Sequence, residues 1–175
     1  EEFAHPCFRS LFYHNLFISA FGFYGIWGQF IIMALAGSRL DPEIFSTISV
    51  LSLLLGLPFL VFAWMMLIRF AVEASGHKLR NWFTVVFLIV NFGIIAALSL
   101  VIRDMSFNDA LPLFKYYYIA AALLFATMAA TLIVRGDSVS PGRSDRIALA
   151  LIITGGALAQ SLSLLLIHHS AWMAM

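Results

Sequence analysis

The sequence predicts an all-α fold, a polytopic membrane helix bundle with five transmembrane helices, and three observations carry that prediction. The chain is 62% hydrophobic and 11% charged, against about 45–50% and 25% for ordinary soluble domains. Residues 44–68 contain no Asp, Glu, Lys or Arg. A helix rising about 1.5 Å per residue crosses the ~30 Å hydrocarbon layer in about 20 residues, so this segment is long enough to span. Four similar stretches surround it. The spans read as 11–36, 44–70, 81–102, 116–134 and 147–169 of one transmembrane domain covering 1–175. There is no convincing repeat, low-complexity linker or second domain.

Residues 1–10 hold Glu1, Glu2 and Arg9 and lack the basic, apolar and small-residue order of a signal peptide. The first span follows, with Ser19, Gly22, Gly25 and Gly28 recurring every third residue. Small residues let helices approach closely in lipid, where packing replaces the hydrophobic drive. The stripe is expected to pack another helix, either within the bundle or on a partner chain. Trp27 and Gln29 lie beside it.

Asp41-Pro42-Glu43 reads as an N-cap, a first-position proline and a first-turn acid, starting a second helix that reaches Ser75. Gly56 and Pro58 fall near its middle, where the proline removes a backbone donor and predicts a kink that can act as a hinge. Arg69 and Glu73, four apart, are placed to form an interfacial ion pair at the membrane exit. The third span runs from Asn81 to Ile102 with Asn91 at its centre, an amide that needs a bonded partner in lipid.

Ser106 to Asp109 loosely fits a capping box. An interfacial turn is expected there, with Phe107, Leu111 and Phe114 touching lipid, before Tyr116-Tyr117-Tyr118 opens the fourth span as an aromatic belt. Gly136, Pro141 and Gly142 mark the next turn. Ser144 or Asp145 is the expected cap of the fifth helix, which starts near Ile147, carries Thr154-Gly155-Gly156, Gln160, Ser161 and Ser163, and reaches His168-His169.

Basic residues set the expected orientation. Arg9, Arg69, Lys78, Arg80, Arg135, Arg143 and Arg146 fall on the N-terminal side, against Arg39, Arg103 and Lys115 on the other. The positive-inside rule then puts the N-terminus on the cytoplasmic side and the C-terminus across the membrane.

Several chemistries are disfavoured. The single Cys7 gives no internal disulfide or CxxC pair, and the net charge of +1 gives no reason to expect nucleic acid. No GxSxG, HExxH or phosphate-loop motif is present. The charged residues stay outside the central spans, which speaks against an ion-coupled transporter. Metal-site spacing is absent, but imidazoles can hold a tetrapyrrole. His14, flanked by Leu11-Phe12-Tyr13 and Leu16-Phe17, and His168 are the candidate cofactor ligands.

The function expected from these features is an accessory or structural subunit of a larger membrane complex, without catalysis of its own. It would meet the lipid bilayer and other membrane chains, with Ser19, Gly22, Gly25, Gly28, Asn91 and Gln160 as helix-packing positions. The alternatives are a tetrapyrrole-, pigment- or quinone-binding subunit of an electron-transfer or photosynthetic complex, and a membrane sensor or small-solute transporter.

Overall fold

The computed structural model describes residues 6–23, 41–103, 105–136 and 142–172. The described residues form five helices and no strand: α1 (Pro6–Phe21), α2 (Pro42–Ala74), α3 (Asn81–Ile102), α4 (Phe107–Arg135) and α5 (Arg143–Trp172). Four of them are long and apolar enough to cross a membrane, with mean hydropathies of 2.4, 2.8, 2.0 and 1.2 for α2 to α5. α1 is the described part of the first expected span; the remainder of that span, with Gly25 and Gly28, lies outside the described residues.

α2 is the helix on which the others are built. It packs against α1, α3 and α4, while α5 rests on α4. Asp41 caps it by accepting a 2.9 Å bond from the Glu43 amide, and Pro42 supplies the first helical residue. The helix continues through Pro58 to Ala74. There Gly76 takes a φ of 82°. The His77 amide reaches Val72 O and the Gly76 amide reaches Glu73 O, the paired bonds of a Schellman ending.

The α2–α4 contact is made possible by small residues. Ala122, Ala126 and Ala129 of α4 are buried at spacings of four and three, so one face of α4 lies close to α2, where dispersion contacts between helices supply the attraction. Leu60, Val61, Ile68 and Ala71 of α2 are fully enclosed. At the end of the pair, Ser75 Oγ lies 2.7 Å from both Ala71 O and Leu132 O, its single proton serving either acceptor. Gly136 sits so close that a Cβ there would meet Ser75 Cβ at 2.7 Å and Ser75 Cα at 2.8 Å.

Cross-helix contacts fix the directions. Ser10 of α1 meets Glu73 at the end of α2, and Ser75 meets Leu132 near the end of α4. The start of α1, the α2–α3 connection and the α4–α5 connection therefore share one end of the bundle. Arg9, Arg69, Lys78, Arg80, Arg135, Arg143 and Arg146 all belong to that end.

Three local expectations are corrected. α4 begins at Phe107, not 116, because Ser106 caps it: Ser106 Oγ accepts from the Asp109 amide at 3.3 Å and donates to Asp109 Oδ2 at 2.7 Å. The expected interfacial turn is thus the first part of α4, and Phe114 is buried in the core instead of touching lipid. The three tyrosines consequently lie well inside α4, not at its edge. Only Tyr116 faces outward, while Tyr118 is buried. α5 starts at Arg143, so Ser144 and Asp145 occupy its first turn and the Arg146 amide bonds Gly142 O.

The Ser75–Gly136 contact makes a paired prediction. Gly136→Ala forces backbone apart and should destabilise the bundle by about 1–3 kcal/mol. Gly93→Ala, with open space around it, should be neutral or stabilise by up to about 1 kcal/mol. Thermal unfolding in detergent, followed by circular dichroism, separates the two.

Candidate functional site

Three places gather the polar and aromatic groups of the bundle: an aromatic seam around Trp64, the basic end, and the outer face of α5. Each follows from the way the helix faces are written.

The inward face of α1 reads Ser10, His14, Phe17 and Phe21, at spacings of four, three and four. Phe17 packs on Phe62 of α2 at 5.4 Å between ring centres, and Phe21 stacks on Tyr118 of α4 at 5.7 Å. Trp64 of α2 is 3% exposed. Its ring centre lies 5.1 Å from Phe125, 5.9 Å from Tyr117 and 6.5 Å from Tyr118. Phe125 in turn meets Phe87 of α3 at 5.1 Å. Offset and edge-on ring pairs of this kind add about 0.5–1.5 kcal/mol each beyond their area. The Tyr118 hydroxyl donates to Gln160 Oε1 of α5 at 2.9 Å, so Tyr118 alone touches α1, α2 and α5. The neighbouring Tyr117 hydroxyl is covered and has no hydrogen-bond partner.

At the basic end, Arg69 Nε donates to Glu73 Oε1 at 2.9 Å and Ser10 Oγ donates to Glu73 Oε2 at 2.7 Å. The Glu73 side chain is 13% exposed and that of Arg69 is 52%. The carboxylate therefore serves as a clamp between α1 and α2, with both oxygens engaged. Arg146 of α5 differs. Its Nε and Nη1 are covered and have no acceptor.

His14 Nδ1 lies 2.8 Å from Ala63 O. A carbonyl oxygen only accepts, so Nδ1 carries the proton in this bond and Nε2 is the lone-pair nitrogen. Asn91 is buried and donates Nδ2 to Phe87 O of its own helix at 2.8 Å, which satisfies the amide one turn back. Ser19 is exposed and points away from the inward face of α1, and Gly22 has open space where a Cβ would be. Gly56 is buried and Pro58 half-buried within α2. His168 lies on α5, with its side chain outside the described set. The structure thus joins Gln160 to the aromatic seam, Arg69 to Glu73, and His14 to α2. Among the described residues, no three His, Cys, Asp or Glu side chains converge as metal ligands would.

Sequence reading missed the alanine face of α4 and the role of Trp64. The first had a signal, small residues at 122, 126 and 129; the second had none, since an isolated apolar-flanked Trp looks the same on a lipid face.

The outer face of α5 carries Gly155 and Gly156, both exposed, while Gln160, also exposed, turns its amide oxygen to Tyr118. A Cβ at either glycine would meet nothing within 4 Å. α5 is the least hydrophobic of the four candidate spans, at a mean hydropathy of 1.2, and the least enclosed, with 11% buried. α3 exposes a comparable share of its surface but has the highest mean hydropathy, 2.8. Its outer residues are Val85, Val86, Ile89, Val90 and Leu100.

Trp64→Ala should cost about 3–5 kcal/mol through the cavity it leaves, whereas Tyr118→Phe, which removes only the bond to Gln160, should cost about 0.6 kcal/mol. Unfolding of both variants in mixed micelles measures the ratio. No family model matches the chain, and neither the curated proteins nor the solved structures contain a match.

Proposed function

We propose that the chain is a membrane-embedded interaction module, an accessory or structural subunit that docks other membrane chains along the outer face of α5 and performs no catalysis itself. One observation carries this reading: the least apolar of the candidate spans is also the least covered by its own bundle. Lipid tails reward the Leu, Ile and Val face of α3 but not exposed Gly155 and Gly156. A flat glycine surface gains more from a facing helix, which brings backbones close. Ser19 and Gly22 add a second small-residue surface on the outer side of α1. The interior supports the same reading. Three of its polar bonds join helices: Ser10–Glu73, Ser75–Leu132 and Tyr118–Gln160.

We also infer that the basic end faces the cytoplasm, following the excess of Lys and Arg there. The C-terminus of α5 then lies on the opposite side.

A second reading has one observation in its favour. A metal-bound histidine commonly donates its other ring nitrogen to a backbone carbonyl, and His14 does so to Ala63 O. A tetrapyrrole-binding subunit would use His14 Nε2 as its ligand. The absorption spectrum of protein purified from its native membrane tests this; a Soret band lost in His14→Ala is the expected sign of that reading, and colourless protein ends it.

The interaction reading is tested on the glycines. Gly155→Leu combined with Gly156→Leu should leave the isolated fold intact, because both sites open outward. It should raise the dissociation constant of the purified complex by about tenfold, equivalent to about 1.4 kcal/mol of lost packing. Light scattering in mild detergent reads the change. Wild-type protein that purifies as a lone monomer would contradict the proposal.

A further inference from the structure

Among the described residues, the guanidinium of Arg146 is the charged group whose covered nitrogens the interactions above leave without an acceptor. Arg146 shares one face of α5 with Leu149, Ala150 and Ile153, the face packed toward α4. Covering a guanidinium without acceptors is costly unless a partner arrives, and a planar donor fork suits a carboxylate or phosphate.

Its surroundings indicate what kind of partner. α4 and α5 are antiparallel with Tyr118 opposite Gln160. That register brings Leu132 level with Arg146 and Arg135 level with Arg143. At this depth α4 carries a shallow groove of about 340 Å³ lined by Ala130, Thr131, Val134 and Arg135. Its walls are chiefly apolar, with a cation on the side nearest the bundle's end. The N-terminus of the 30-residue α5 opens at the same end, adding the positive pole of its backbone dipole. Asp145 in the first turn of α5 and Glu73 near the end of α2 are the described acids at this end of the bundle. Glu73 already holds Arg69 and Ser10. A shallow, chiefly apolar groove bordered by Arg135 and lying level with Arg146, at the rim of a membrane bundle, has the chemistry of an anionic lipid site.

We propose that the α4–α5 end binds one anionic phospholipid, with its phosphate held by Arg146 and Arg135 and an acyl chain along the Ala130–Val134 groove. The site is separate from the outer α5 face, so it stands whether or not that face docks a partner. A free phosphate would satisfy the arginines alone; the apolar groove selects the lipid. Bound in this way, the lipid would satisfy the buried donors of Arg146 and tie the start of α5 to the end of α4.

Native mass spectrometry of the full chain, titrated with phosphatidylglycerol or phosphatidylcholine in detergent, tests the site. Retained phosphatidylglycerol should exceed phosphatidylcholine several-fold. Arg146→Gln should weaken phosphatidylglycerol by about tenfold while leaving phosphatidylcholine unchanged, and Val134→Trp should weaken it by filling the groove. Circular dichroism must show both variants folded; Arg135→Gln is the second probe should Arg146→Gln fail to fold. Phosphatidylglycerol should also raise the unfolding temperature, and inorganic phosphate at the same concentration should not. Equal retention of the two lipids, an Arg146→Gln protein that keeps its preference, or stabilisation by phosphate alone would each overturn the proposal.

Discussion

The close approach of α2 to α4 is the contact on which the rest of the bundle depends. Without a hydrophobic drive between helices in lipid, a bundle is held by dispersion between surfaces that fit and by the polar bonds that fit allows. Ala122, Ala126 and Ala129 provide the fit along the pair, and Gly136 provides it at the end, where Ser75 occupies the space a larger side chain would need. Only at that separation can Ser75 reach Leu132 O. The same approach sets Trp64 among Tyr117, Tyr118 and Phe125. Tyr118 then carries the packing outward, to α1 through Phe21 and to α5 through Gln160.

From this arrangement the surfaces acquire different characters. α2 lies mostly inside. α3 turns a strongly apolar face outward, as a helix bordering acyl chains should. α5 is less apolar yet nearly uncovered, with mean hydropathy 1.2 and 11% of its span buried, and this contrast underlies the proposed docking face. The end with seven basic residues is where α1, α2, α4 and α5 come together, and one of its guanidinium groups is enclosed without an acceptor. Function in this chain is therefore read from surfaces and leftover donors. Polar pairs such as Ser10–Glu73 and Tyr118–Gln160 hold helices to one another.

How much of this was legible in the sequence depended on whether the determining interaction was local. The start of α2 was readable because Asp41, Pro42 and Glu43 act on one another within a turn. The limits of α3 were readable because charged or polar residues bracket an apolar run. The pairing of Arg69 with Glu73 followed from helical spacing alone. The start of α4 was misplaced because the charged Asp109 and Lys115 suggested a loop, whereas the Ser106 cap extends the helix through them. Tyr116, Tyr117 and Tyr118 were read as one group, but a helix turns about 100° per residue, so adjacent side chains met different surroundings. Trp64, the alanine face and the enclosed Arg146 rest on contacts between distant segments, which spacing along a single chain does not encode.

Spin-label accessibility in reconstituted membranes tests most directly the claim that lipid bathes α3 while a protein face awaits on α5. Nitroxides would be placed singly at Ile89 and Val90 and at Gly155 and Gly156, in a Cys7→Ser background, within membranes that retain the native companions. The expected result is high collision with oxygen and low collision with a water-soluble nickel chelate at Ile89 and Val90, and low collision with both at the two glycines. Oxygen access at Gly155 and Gly156 equal to that at Ile89 would make α5 another lipid face, and nickel access at Ile89 would contradict a membrane bundle altogether.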